Sequence, residues 1–256
     1  MKPEEDFAGR QIAGSRVTQD DYYGFGPLTQ ELDGLDGVLL VVADGMGGYS
    51  GGAIASRLVV ESFVKNFYLQ EGPPAQRLQT SLRAAEKALQ DKIARSDRSL
   101  GQMGSTLVAA VCTGGTLQWA SVGDSALYLF RDGALKRVNA DHSMVPVLAQ
   151  LVVAGNLTAE EAASHPQRNV LRAALTGGPL ETFEISESPL QLQPGDIVIA
   201  ASDGLGTVPP DALAAKIAEN SGQPASRIAE VLLAAVSDAR KVKQDNATVA
   251  VIRNPS

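Results

Sequence analysis

Cysteine and histidine are almost absent from this 256-residue chain, which contains one Cys and two His. A single Cys excludes an internal disulfide framework. So few nitrogen and sulfur ligands also disfavour a zinc site, which is usually built from Cys and His side chains. Cys112 lies inside the apolar run "STLVAAVCTGG", so we expect a buried, unreactive thiol.

An excess of basic residues is also lacking. Lys and Arg total 22 against 29 Asp and Glu, which gives a formal net charge of −7. Nucleic-acid binding requires a basic face, so the charge disfavours that class. No apolar stretch approaches the ~18 residues of a membrane span, and the N-terminal segment lacks the apolar core of a signal peptide. We therefore expect a cytoplasmic monomer that binds neither nucleic acid nor membrane.

Linkers, low-complexity tracts and internal repeats are missing too, which predicts one domain over residues 1–256. Short apolar runs bounded by Gly or Asp indicate strands. They lie at 37–42, 106–112, 117–122, 126–130, 196–201 and 247–252, with a candidate first strand at 11–17. The segments "CTGGT" and "RDG" between neighbouring runs are typical of hairpin turns, so much of the sheet is expected to be antiparallel.

Helical periodicity occupies four other segments, at 53–68, 75–95, 210–220 and 225–239. These helices come in two pairs, which favours an α+β protein with segregated layers over a strict β-α-β alternation. Residues 143–175 interrupt this order and predict a small insertion beside the core. Within it, Thr158 and Glu161 form a capping-box pattern for a short helix that Pro166 ends.

Acidic residues recur where apolar strands begin or end. Asp44, Asp124 and Asp203 follow apolar runs, Asp245 precedes one, and Asp21 lies beside the candidate first strand. A single aspartate of this kind is most often a turn or a helix cap. A cluster of carboxylates, however, is unfavourable unless a cation lies between them. Magnesium and manganese prefer carboxylate oxygens, although spacing alone does not bring these residues together.

Glycines follow Asp44 in "VLLVVADGMGG". Gly45, Gly47 and Gly48 would let the backbone approach an ion or a phosphate closely, and the Gly45 carbonyl could itself be a ligand. A glycine-rich link into the next helix explains the same pattern, and the two interpretations are compatible.

An ordered series of motifs resembles the metal-dependent protein phosphatases, the PPM or type 2C family, in its bacterial form. The series is "SRVTQDD", "VVADGMGG", "GGAIAS", "MGSTLVAAV", "WASVGDSALYLFRDG", "NADHS", "EEAASHPQRNVL", "IVIAASDGL" and "DNATVAVI". The resemblance covers nearly the whole chain. It implies a four-layer α-β-β-α sandwich of two mainly antiparallel sheets flanked by helix pairs. Residues 143–175 would form the insertion called the flap.

The resemblance also implies a centre of two to three Mn²⁺ or Mg²⁺ ions. Asp44 would bridge two ions, and the carbonyl of Gly45 would bind the first. Asp203 and Asp245 would hold the second ion. Asp124 would help to hold a third.

Four further residues complete the implied site. Asp21 and Asp20 would act through metal-bound waters, although Asp20 is one methylene shorter than the glutamate usual in the family. Asn246 would support Asp245 from behind. Arg16 would grip the substrate phosphate with a forked pair of hydrogen bonds.

The implied activity is hydrolysis of phosphoserine and phosphothreonine in proteins, by direct attack of a hydroxide that bridges the ions. No covalent phosphoenzyme is needed. This agrees with Gln118, which occupies the place of the arginine that follows the nucleophile of a cysteine phosphatase. The partners would be phosphorylated proteins, with a Ser/Thr kinase acting in opposition on the same substrates.

Two other functions stay open at this point. A catalytically silent binding module of the same fold would normally lack the metal aspartates, which are present here. A two-metal hydrolase of nucleotides or small phosphoesters would also have these metal aspartates.

We expect structural or surface roles for His142 and His165. Arg168 and Arg172 of the flap either contact a phosphopeptide or are solvated surface charges.

Overall fold

Two antiparallel sheets stack face to face and carry helices on their outer faces. The structure is a computed structural model that describes residues 1–30, 34, 36–47, 50–96 and 103–254. The first sheet has the strand order β1-β12-β11-β7-β8. Its strands are β1 (Phe7–Ile12), β7 (Ala126–Arg131), β8 (Ala134–Arg137), β11 (Ile197–Ala201) and β12 (Ala247–Arg253).

The second sheet has the order β10-β6-β5-β3-β2, with β4 paired to β3 and β9 paired to β6. Its strands are β2 (Asp21–Leu28), β3 (Gly37–Met46), β4 (Gly104–Ser105), β5 (Leu107–Thr113), β6 (Thr116–Val122), β9 (Glu184–Ile185) and β10 (Leu190–Gln191). The described helices are α1 (Gly51–Leu69), α2 (Pro74–Arg95), α3 (Val145–Val153), α4 (Ala159–Ala163), α5 (Pro210–Asn220) and α6 (Ala225–Asp238).

Strand β3 shows why its sequence is continuously apolar. Successive side chains of a strand point to opposite faces. Val38, Leu40 and Val42 pack into the layer between the two sheets. Leu39 and Val41 pack on the other face against α1 and α2. Both faces of β3 are therefore buried, and this strand needs no polar side.

The four-layer α-β-β-α arrangement is confirmed. Helices α1 and α2 pack on the second sheet, while α5 and α6 pack on the first sheet. The predicted stripe of α2 is buried at Leu78, Leu82, Ala85 and Leu89. None of the helices within the described ranges combines the length and apolarity that crossing a bilayer requires.

Both predicted hairpin turns are confirmed. Asp132 and Gly133 between β7 and β8 have positive φ angles of 51° and 81°. Gly114 and Gly115 between β5 and β6 have φ angles of 55° and 72°. Two consecutive positive φ angles are what a type I′ hairpin turn needs.

The candidate first strand at 11–17 is wrong. The strand lies earlier, at Phe7–Ile12, and pairs with β12 from Phe7 opposite Ile252 to Ile12 opposite Ala247. Gly14 then adopts a left-handed conformation, with φ of 63°, and ends the extended segment. Val17 is fully exposed, so residues 13–20 form a surface loop.

Strand β2 and helix α3 were not predicted. Strand β2 contains two Gly and a Pro, which weaken a strand pattern, and it forms through its pairing with β3. In the insertion, the capping box of Thr158 and Glu161 is present at the start of α4.

Candidate metal centre

Carboxylates from both sheets line one cleft of about 510 Å³ at one end of the sandwich. The charged side chains around this cleft, which we call the acidic cleft, are Arg16, Asp20, Asp44, Asp124, Asp203 and Asp245. Gly45, Met46, Thr106, Asn169 and Asn246 line it as well. Segments remote in sequence therefore place five carboxylates and one guanidinium around a common space.

Thr106 positions Asp44 near the end of β3. The Asp44 amide donates to the Thr106 hydroxyl at 2.9 Å, and the Thr106 amide donates to the Asp44 carbonyl at 2.9 Å. The Thr106 hydroxyl also lies 2.7 Å from that of Ser125. Because Ser125 follows Asp124, one buried threonine connects the strand of Asp44 with the turn of Asp124.

Gln244 connects the segments of Asp203 and Asp245. Its side-chain amide donates to the carbonyl of Gly204 at 3.2 Å, and it accepts from the Thr207 hydroxyl at 2.7 Å. A Cβ on Gly204 would lie 1.9 Å from the carbonyl oxygen of Asn246. Only glycine therefore permits the close packing that keeps Asp203 beside Asp245.

Asp21 occupies a different position from the other aspartates. It begins β2 directly opposite Asp44, but it is buried, with 2% of its surface exposed. Its Oδ2 accepts from the hydroxyl of Ser202, which directly follows β11, at 2.7 Å and from that of Thr248 in β12 at 2.8 Å. Asp21 thus ties the two sheets together next to the acidic cleft, whereas Asp20 lines the cleft itself.

Asn246 holds the loop that carries Arg16. Its side-chain oxygen accepts from the Asp20 amide at 2.8 Å, and its Nδ2 donates to the carbonyls of Ala13 and Thr18. From Asn246, the Asp245 carboxylate accepts only the main-chain N–H, at 2.8 Å. The side chain therefore organises residues 13–20 and makes no contact with the Asp245 carboxylate.

Arg16 reaches the acidic cleft and forms an ion pair there. Its Nη2 donates to Oδ2 of Asp245 at 2.6 Å. The guanidinium is 61% exposed, so it can rearrange without leaving a buried charge.

Gly45 tolerates no side chain. A Cβ at this position would lie 2.1 Å from the carbonyl oxygen of Gly52 and 2.5 Å from that of Asp20. A Cβ on Gly52 would in turn come within 2.8 Å of the Gly45 carbonyl oxygen. Because neither residue has a Cβ, the backbones of Gly45 and Gly52 pack closely beside Asp44. Gly48 lies outside the described residues.

Burial and mutual repulsion raise the pKa values of these acids. Burial and the nearby charge of Asp203 raise the pKa of Asp124 to about 7. Burial raises the pKa of Asp21 to about 6, despite the hydrogen bonds that oppose it. The pKa of Asp44 is raised well above its ordinary value by burial and by the charges of Asp21 and Asp203. The fully ionised form of these aspartates is therefore unfavourable unless a cation lies among them.

The donor set fits hard divalent cations. Among the buried side-chain atoms described, Oδ1 of Asp20 and Oδ1 of Asp21 have no hydrogen-bond partner. Unpartnered carboxylate oxygens suit Mg²⁺ or Mn²⁺, which bind through one or two carboxylates and keep several waters. No three Asp, Glu, His or Cys side chains in the described ranges are grouped closely enough to hold one ion by themselves.

The two histidines lie away from this space. Neither His142 nor His165 lines the acidic cleft. His142 is buried, and burial lowers its pKa. Nδ1 of His165 accepts from the Gln167 amide within the flap.

The residues whose hydrogen bonds hold the aspartates in place are not predicted from the sequence. Thr106, Ser202, Gln244 and Thr248 each lie within three residues of a strand end. Their proximity to the acidic motifs was the available signal, but small polar residues near turns are too common to stand out.

The sequence of the chain is similar to a family of known proteins. The family model described as Protein phosphatase 2C matches residues 9–245. The serine/threonine protein phosphatase PstP of Mycobacterium tuberculosis is 39% identical over 171 residues, which span 65% of this chain and 31% of PstP. The serine/threonine phosphatase stp of Listeria monocytogenes is 33% identical over 180 residues, which span 68% of each protein.

Solved structures agree over almost the full length. The crystal structure of M. tuberculosis PstP/Ppp has a TM-score of 0.80 and 30% identity, covering 98% of both chains. The catalytic domain of PstP in complex with two manganese ions has a TM-score of 0.76 and 27% identity, again over 98% of both chains. The match of the family model to residues 9–245, together with this agreement, shows that the chain belongs to the protein phosphatase 2C family.

Proposed function

We propose that this protein is a metal-dependent phosphatase that hydrolyses phosphoserine and phosphothreonine in proteins. The observation that carries the proposal is the acidic cleft itself. Five carboxylates and Arg16, drawn from both sheets, surround a space of about 510 Å³. Two relatives named serine/threonine phosphatases support the substrate class.

The acidic cleft would hold two to three Mn²⁺ or Mg²⁺ ions. A relative with two manganese ions supports this. Asp44, Asp203, Asp245 and the carbonyl of Gly45 would hold two of these ions. Asp124 would serve a third ion. Such ions lower the pKa of water to near neutrality and offset the charge on phosphoryl oxygens.

The residues of the chain would then orient the reactants. Arg16 would turn from Asp245 to the substrate phosphate, because a guanidinium can donate two parallel hydrogen bonds to phosphate oxygens. Asp20 would hold a water through its unpartnered Oδ1. Asp21 would stay in place through Ser202 and Thr248 and supply negative charge from behind.

A covalent phosphocysteine route has no support. Cys112 is buried between the sheets, and burial raises the pKa of its thiol to about 12. The thiolate needed for attack would therefore be absent near neutral pH. The acidic cleft therefore supports direct attack by water on the phosphorus atom.

The test is release of phosphate from a phosphothreonine peptide as manganese is titrated in. We expect Asp44→Asn and Asp203→Asn to lower kcat/KM by at least about 100-fold, because each would remove a cation ligand from the reacting centre. Asp132→Asn is the matched control, since Asp132 lies in the β7–β8 hairpin turn with a positive φ that Asn accepts. Undiminished turnover in excess chelator would refute the proposal.

The range of substrates needs a second comparison. Turnover of phosphopeptides, nucleotides and small phosphoesters by the same preparation separates a protein phosphatase from a general phosphoester hydrolase. We propose phosphoproteins as the natural substrates and a Ser/Thr kinase as the opposing enzyme. A cellular phosphoproteome that is unchanged when the protein is deleted would contradict this assignment.

A further inference from the structure

A second cleft, of about 440 Å³, continues from the acidic cleft. The two share Asp124, Asn169, Asp203 and Asp245 along their common border. One wall of the second cleft comes from the loop before β12, and the other comes from the flap, residues 143–175. A polypeptide whose phosphorylated residue occupied the acidic cleft would have its flanking residues beside this second cleft.

Basic side chains line the second cleft. Lys241 and Lys243 lie on one wall and Arg168 lies on the other. They belong to a chain with a net charge of −7. The segment "ARKVKQD", which contains both lysines, ends on Asp245. We call Lys241, Lys243 and Arg168 the basic wall.

The basic wall has no acidic partner within the described part of the chain. None of its three residues forms an ion pair there. A fourth cation of the cleft, Arg137, is already engaged by Asp141 and by the carbonyl of Asp124. Lys241, Lys243 and Arg168 are all exposed, and Arg168 donates only a long hydrogen bond of 3.5 Å to Oδ1 of Asn169.

We propose that the basic wall binds an anionic side chain of the phosphoprotein substrate next to the phosphorylated residue. The anion would be an aspartate, a glutamate or a second phosphorylated residue. The proposal rests on the proposed function, and it adds a preference for acidic or multiply phosphorylated sites. The chemistry is that of exposed charge pairs, whose contributions are individually small but add over several cations.

The experiment compares three phosphothreonine peptides of equal length with manganese at saturation. The flanking residues are Asp in the first peptide, Asn in the second and a second phosphothreonine in the third. We expect the kcat/KM of the Asp peptide to exceed that of the Asn peptide about five-fold, mainly through KM. The ratio should fall as ionic strength increases. If only the doubly phosphorylated peptide is preferred, the anion is a phosphate.

Substitutions show which residues cause the preference for the Asp peptide over the Asn peptide. Lys243→Gln and Arg168→Gln should each bring the ratio closer to one, and the triple variant that also carries Lys241→Gln should remove the preference. Lys216→Gln is the matched control, because Lys216 is an exposed lysine on α5, away from both clefts. It should leave the ratio unchanged. Any general effect of a substitution on the metal centre acts on both peptides, so it cancels in the ratio.

The outcomes separate the two proposals. Equal kcat/KM for all three peptides, with clear turnover of each, would overturn the basic wall and leave the phosphatase assignment intact. A preference that survives the triple variant would also overturn it. If no peptide is hydrolysed, the proposed function fails. The affinities of the same fluorescently labelled peptides then provide the comparison.

Discussion

The guanidinium of Arg16 donates to the carboxylate of Asp245 at 2.6 Å, although 229 positions separate the two residues in the chain. Both side chains are partly exposed, by 61% and 42%. Exposed ion pairs contribute little to stability. The pair is therefore easy to open, and the guanidinium would become available for a substrate phosphate when Asp245 turns to a cation.

Arg16→Lys keeps the positive charge but removes the planar pair of N–H donors. Lysine cannot donate two parallel hydrogen bonds in a fixed plane, so we expect kcat/KM on a phosphopeptide to fall about 50-fold. The free energy of unfolding should change by less than about 0.5 kcal/mol. Steady-state kinetics and urea unfolding check both statements. Arg57→Lys, in an exposed pair with Glu61 on α1, is the control. Full activity of Arg16→Lys would remove Arg16 from the mechanism.

Asp124→Asn should stabilise the metal-free protein at alkaline pH. The folded-state pKa of Asp124 is about 7, above its unfolded value of about 4. The stability associated with the protonated form is therefore full below about pH 4 and is lost as pH rises through about 7. In chelator, we expect the variant to be more stable than the wild type by on the order of 2 kcal/mol at pH 8.

The difference for Asp124→Asn should shrink as the pH falls toward 5, because the wild-type carboxyl then becomes protonated and neutral like the amide. Added manganese should reverse the order, since Asn is the weaker ligand for a hard cation. Urea unfolding with chelator and with manganese measures each case. A variant that is less stable than the wild type at pH 8 in chelator would contradict the assigned electrostatics.

Gly45→Ala should disrupt the centre and the fold next to it. The new methyl would lie 2.1 Å from the Gly52 carbonyl oxygen, so α1 or β3 must move. We expect a loss of at least about 3 kcal/mol in the free energy of unfolding, since backbone atoms cannot yield as a flexible side chain does. Gly222→Ala is the control, because its Cβ would meet open space. Wild-type stability and manganese activation of Gly45→Ala would contradict the geometry.

Thr248→Val tests the contact between the sheets at Asp21. The substitution removes the hydroxyl that donates to Asp21 at 2.8 Å while keeping the shape of the side chain. We expect a loss of about 1–2 kcal/mol in the free energy of unfolding. The loss should be larger at pH 8 than at pH 5, because this hydrogen bond lowers an Asp21 pKa that stands at about 6. Thr248→Ser should restore most of the stability, and equal losses at both pH values would refute the role.

Local patterns predicted the four long helices and most long strands. Helix α2 shows its stripe at Leu78, Leu82, Ala85 and Leu89 because one face must be buried. The hairpin turns were equally readable, since positive φ angles select Gly and Asp. In these elements, the residues that determine the structure lie within a few positions of each other.

The edge strand β1 shows where this approach fails. The residues at 7–12 and 11–17 have similar local patterns, and the choice depends on pairing with β12 at the other end of the chain. Strand β2 depends in the same way on β3. The partner of β1 lies hundreds of positions away and that of β2 starts nine positions beyond it, so no short window of sequence contains the hydrogen bonds that either strand makes.

The sequence by itself determined which acids stand at strand ends, and the resemblance of their order to one family determined the expected chemistry. The tertiary structure alone decided that Asp20 lines the acidic cleft while Asp21 is buried behind it, that Asn246 holds the Arg16 loop, and that the basic wall adjoins the acidic cleft. The reason is physical. A residue type and its neighbours set local conformation, but burial, charge repulsion and hydrogen-bond partners depend on segments that only folding brings together.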